Sequence, residues 1–223
     1  KIKSVNLVTS SNGKVTEVAA KYIISDTRMQ VFLPQGLNPK GGVVKIKIDF
    51  SFIAPFEGSD RMGVLETKNG KIFTMAQWYP RMCVYDDVRG WNTNPYLGAS
   101  EFYLEYGDFD VKITTPSNHV VVCSGELVNP TEVYSSEEQK RLAQAKLSDA
   151  TVLIRTAAEV NNLPKTTSST KTWHYKIKSA RDVSWASSQA FILDGAKINL
   201  PSGKKALALS VYPVESDGND AWG

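Results

Sequence analysis

Val44-Lys45-Ile46-Lys47-Ile48-Asp49-Phe50-Ser51-Phe52 puts five apolar residues on one parity and four polar ones on the other. Successive side chains of an extended strand point to opposite faces, so this stretch reads as a strand with one face in a core and the other in water. Phe109-Asp110-Val111-Lys112-Ile113-Thr114 repeats the alternation, and Trp173-His174-Tyr175-Lys176-Ile177-Lys178 does so with an aromatic inner face. Further strands are expected at 15–24, 29–33, 119–124, 152–155, 190–193 and 206–212. Turn residues separate them: Asn12-Gly13, Pro39 with Gly41-Gly42, Asn69-Gly70, Pro116 with Asn118, and Pro201 with Gly203. Short alternating strands between such turns predict an all-β fold, an antiparallel β-sandwich, because parallel sheets covered on both faces would read as unbroken apolar runs.

One short surface helix near residues 136–147 interrupts the strands. Ser135 or Ser136 can cap it, and Glu138 stands three residues after Ser135, the spacing of a capping box. Its few apolar positions, Leu142, Ala143, Ala145 and Leu147, mark it as a surface excursion and not a core helix. The polar stretch 161–171, with Pro164, reads as a long hairpin connection, since strand patterning resumes at once beyond it.

The 223 residues, 42% hydrophobic, are enough for one large β domain or two small ones. A net charge of +3 is spread along the chain without a basic stripe, which argues against nucleic acid as a partner. No apolar run approaches the roughly 20 residues of a membrane span, and no signal peptide opens the chain. The start at Lys1 and the end at Trp222-Gly223, without a closing element, read as processing or truncation. Cys83 and Cys123, each beside apolar residues, are expected as small buried hydrophobes, with a single bridge left open.

Chemistry-bearing motifs are sparse. His119 and His174 lie in separate strands without a ligand at zinc-site spacing, so each reads as an ordinary strand residue. Asp86-Asp87 could offer oxygens to calcium, but calcium takes 6–8 of them, and a turn whose acids meet Arg81 or Arg89 fits better. The densest aromatic region runs through Phe73-Thr74-Met75-Ala76-Gln77-Trp78-Tyr79-Pro80-Arg81-Met82, then Trp91, Asn94-Pro95-Tyr96, and Glu101-Phe102-Tyr103-Leu104-Glu105-Tyr106-Gly107-Asp108-Phe109.

That region, with Ile24 to Pro34 upstream and Thr115 to Leu127 downstream, resembles the N-terminal domain of the aminopeptidase N (M-one) family of gluzincin zinc metallopeptidases, in the bacterial branch that carries Gln-Trp-Tyr-Pro. The resemblance spans nearly the whole chain and is strongest from about Ile72 to Leu127. It implies that residues 1–223 form a single saddle-shaped N-terminal sandwich domain packed on a catalytic domain of the same polypeptide. Zinc and its chemistry would then belong to residues beyond Gly223, and this part alone would neither hold a cofactor nor hydrolyse peptides. Gln77 matches the glutamine that the family's N-terminal domain lends to the pocket for the first substrate side chain. Tyr79 stands where the family often has an acid near the substrate's free amine, a departure that bears on aminopeptidase specificity. A peptide substrate in the intact enzyme, and a periplasmic or secreted location, follow from the same resemblance. The alternative is a free-standing β-sandwich binding module for glycan or protein, with Trp78, Trp91 and Tyr96 as a stacking platform.

Overall fold

A computed structural model describes residues 1–56, 60–96, 98 and 103–218. Glu101 and Phe102 of the aromatic motif and the closing Trp222-Gly223 lie outside the described residues. The chain is mainly β and divides into two compact units, one made of Lys1–Ile53 and Arg81–Leu104, the other of Ala54–Pro80 and Glu105–Gly223.

The first unit opens with β1 (Ile2–Ser11), β2 (Lys14–Ala19), β3 (Lys21–Ser25), β4 (Arg28–Phe32) and β5 (Lys45–Phe50). The chain then enters the second unit for β6 (Met62–Thr67) and β7 (Gly70–Met75), and returns to the first for β8 (Tyr85–Asp86) and β9 (Gly90–Trp91). The second unit takes the rest: β10 (Gly107–Pro116), β11 (Val120–Cys123), β12 (Glu126–Leu127), α1 (Pro130–Val133), α2 (Ser136–Ala145), β13 (Val152–Arg155), α3 (Ala157–Asn161), β14 (Thr170–Ala180), β15 (Trp185–Ser188), β16 (Phe191–Asn199) and β17 (Lys205–Pro213). All ladders between these strands are antiparallel.

In the first unit β1 is the middle strand of β2-β1-β5, with β3-β4 and β8-β9 as two-stranded ribbons. Asn12 and Gly13, at φ 50° and 75°, make the tight β1–β2 turn, whose two positive dihedrals match the twist of the hairpin. The expected strand at 15–24 divides at Ala20, whose N–H bonds Val5, so that β2 pairs with β1 while β3 pairs with β4. Val5 is buried, but Val15, Val18, Ile23 and Ile24 are all more than half exposed.

The second unit holds a sandwich-like core. Its sheets are β10-β14-β12, β11-β15-β7-β6 and β13-β16-β17. Across β10 and β14 the alternation predicted for both strands brings Phe109 opposite Ile177, Val111 opposite Tyr175 and Ile113 opposite Trp173. Cross-strand apolar pairs of this kind are what stabilise a sheet face. That row packs against Val120 and Val121 of β11, and the Tyr175 hydroxyl donates to the Val121 carbonyl at 2.8 Å, tying two sheets together. Phe191, Ile192 and Leu193 are consecutive and all buried, so the start of β16 is covered on both faces.

The helices depart from expectation in two ways. α2 has the predicted capping box, with the Glu138 N–H donating to Ser135 Oγ and the Ser135 N–H to Glu138 Oε2. It is not a mere excursion: Leu142 and Ala145, three residues apart and so on one face, belong to the core cluster. Ser135→Ala should lower stability by about 1 kcal/mol, read as a lower urea midpoint with unchanged m-value. α1 and α3 were not expected. α3 has its own capping box, Thr156 with Glu159, and turns the chain away after β13. The 161–171 stretch is therefore no hairpin connection: β13 pairs with β16, and β14 with β10 and β12. The cysteines also differ. Both are free: Cys83, in the irregular chain 81–84, is exposed, and Cys123 is half-buried.

Candidate functional site

Gln77 lies two residues past the end of β7, in a bend with Ala76, with φ 54°. A non-glycine residue in the left-handed region is uncommon and costs of order 1 kcal/mol or more unless its surroundings impose it. The imposing groups are the next two residues. Trp78 donates its indole N–H to the Val183 carbonyl at 3.2 Å, and Tyr79 donates its hydroxyl to Asp182 Oδ1 at 2.8 Å. Their rings form an edge-to-face chain: Trp78 with Tyr79 at 5.1 Å, Trp78 with Trp185 at 6.3 Å, and Tyr79 with Phe109 at 6.0 Å. With Met75 buried on one side and two anchored aromatics on the other, the backbone at Gln77 has little choice. Its carboxamide is half-buried and makes no hydrogen bond with any described residue.

The structure thus brings Gln77 and Tyr79 together on one bend but gives them different surroundings: the Tyr79 hydroxyl is engaged by Asp182, and the Gln77 amide is available. Trp78 is packed among rings of the second unit. Trp91 and Tyr96 belong to the first, where Trp91 meets Tyr85 edge to face at 5.1 Å and both Trp91 and Tyr96 remain exposed.

The remaining candidates take structural roles. Asp86 Oδ1 accepts from the backbone N–H of Arg89 and Val88, which holds its carboxyl below the usual range and makes the expected turn. His174 Nε2 sits 2.6 Å from Asp110, itself held down by Lys176 and His174. Among the described residues no group of three or more His, Cys, Asp or Glu is placed to hold a metal ion, and no helix is long and apolar enough to cross a membrane.

His119 bonds Ser187 Oγ through Nδ1 at 2.9 Å, and its pKa is lowered by burial and then by the Arg155 charge. The unfolded chain therefore takes up this proton first as pH falls through the free imidazole value of about 6.5, and stability declines from there until the folded form also protonates. Urea unfolding between pH 7 and 5 should show a shallower decline in His119→Asn, which keeps a partner for Ser187.

Sequence reasoning missed Arg155. It closes a strand-like run and reads as a surface cation, yet it is 4% exposed. The cause is a register shift in β13 between Leu153 and Arg155, which turns both Ile154 and Arg155 inward. No family model, curated protein or solved structure matches this chain.

Proposed function

We propose that this chain is the non-catalytic N-terminal domain of a zinc-dependent aminopeptidase-like metallopeptidase, packing on the catalytic domain and offering Gln77 to the substrate pocket. The observation that carries the reading is the strained bend at Gln77, where anchored aromatics on one side and the sheet on the other hold an unengaged amide in place. Backbone strain kept by its surroundings is a mark of functional positions. The all-β fold agrees with the reading. So do the apolar side chains left exposed in the first unit, among them Val15, Val18, Ile23 and Ile24, since a partner domain would cover such surface.

In this role Gln77 contributes recognition. Its amide both donates and accepts, so it can close one wall of a side-chain pocket while the metal-bound water of the catalytic domain performs the hydrolysis. Tyr79, hydrogen-bonded to Asp182, stiffens that wall. The experiment is to read the coding sequence past Gly223, express the whole protein and compare it with Gln77→Ala on a panel of aminoacyl substrates. A His-Glu-x-x-His motif should follow, and the variant should lose about tenfold in kcat/KM, unevenly across substrates. Absence of that motif, or a uniform profile, sinks the reading.

A further inference from the structure

In the second unit, β12, the C-terminal end of α2 and the start of β17 enclose a cavity of about 510 Å³. Volumes of this order suit small organic ligands. Its floor is buried, formed by Leu142 of α2 with Tyr134 and Tyr175. Burial raises both tyrosine hydroxyls, so the floor carries no charge, and the Tyr175 hydroxyl is already spent on the Val121 carbonyl at 2.8 Å. Leu127 of β12 and Leu207 and Leu209 of β17 supply the walls. Lys205, Leu207 and Leu209 share one parity and so one face of β17, the face on which Leu207 meets the core. The walls are leucine, with neither flat ring platforms nor polar anchors, so a flexible alkyl body gains most by filling them.

The charge sits at the rim. Lys146, the residue that closes α2, and Lys205, the first of β17, line the cavity, are exposed and pair with no carboxylate among the described residues. Asp149 feels Lys205, but its carboxylate is taken by Lys197 at 3.0 Å. Glu126 also lines the cavity, yet in register it stands opposite Lys176, itself opposite Asp110, on the wet face of that sheet, whereas Leu127 stands opposite Tyr175 on the core face. Even with Glu126 counted, the two lysines leave one positive charge. An ammonium is a point charge that attracts an anion without demanding a fork geometry. We propose that this cavity binds a medium-chain fatty acid, its alkyl chain against the leucine walls and its carboxylate met by Lys146 and Lys205.

The test titrates the full chain with decanoate below its micelle concentration, with octanoate and decyltrimethylammonium in parallel, by calorimetry and by the methyl resonances of Leu127, Leu207 and Leu209. Saturable one-to-one binding of decanoate that shifts those methyls is expected, about tenfold tighter than octanoate because two more methylenes are buried. Lys146→Gln combined with Lys205→Gln should weaken decanoate about tenfold and leave decyltrimethylammonium no weaker. Both lysines are exposed, so the double variant keeps the fold. No saturation, saturation without shifts at those leucines, no gain over octanoate, decyltrimethylammonium binding as tightly as decanoate, or an equal loss of both in the double variant would overturn the proposal.

Discussion

Trp173→Ala is expected to cost about 3–5 kcal/mol and, against a domain stability of about 5–15 kcal/mol, to leave much of the chain unfolded near body temperature. The indole is 1% exposed, faces Ile113 across the ladder and meets Tyr134 edge to face at 5.1 Å. Trp173→Phe should be far milder, about 1–2 kcal/mol, because the indole N–H has no hydrogen-bond partner and its removal forfeits only packing. Thermal melts followed in the near ultraviolet would rank the three proteins. A cost in the phenylalanine variant equal to that in alanine would show that the ring's shape, not its bulk, is what counts.

The second large effect is at Gly125, between β11 and β12, where φ is 95°. An added Cβ would lie 2.5 Å from the Lys176 carbonyl oxygen, 2.8 Å from Ile177 Cβ and 2.9 Å from the Lys176 carbonyl carbon. Two of these are backbone of β14, which is already paired on its other edge with β10 and cannot retreat. Gly125→Ala should therefore cost about 2–4 kcal/mol, combining a disfavoured dihedral with overpacking, and should free the amides of Glu126 and Leu127 to hydrogen exchange. Gly203, with a similar dihedral of 79° and nothing within 4 Å of its Cβ position, isolates the dihedral part, so Gly203→Ala should cost only about 1–2 kcal/mol.

What could be read from the sequence was whatever local pattern alone determines. The strands at β5, β10 and β14 alternate because each has one wet face, and the α2 cap is spelled out in four residues. The break at Ala20 was hidden because Lys14–Ala19 and Lys21–Ser25 are both strand-forming and no turn residue stands between them, so the division lies in which strand accepts each. α3 had a legible signal, Thr156 three before Glu159, masked by its brevity. The site divides the same way. The aromatics around Gln77 stand out in composition, but its positive φ depends on where Val183 and Asp182 lie, about a hundred residues on. Arg155 is buried by a single-residue slip in strand pairing, and a slip of that kind leaves no mark in the order of residue types.

The chain passes between its two units three times, near residues 53, 80 and 104. During synthesis, which proceeds from the N-terminus, the first 53 residues must wait for 81–104 before their unit is complete, and the β6–β7 hairpin of the other unit emerges in between. Maturation of the two is thus interleaved in time. Neither can be obtained as a gene fragment by one cut, and a protease nick at any one crossing would leave two linkers intact on the folded protein.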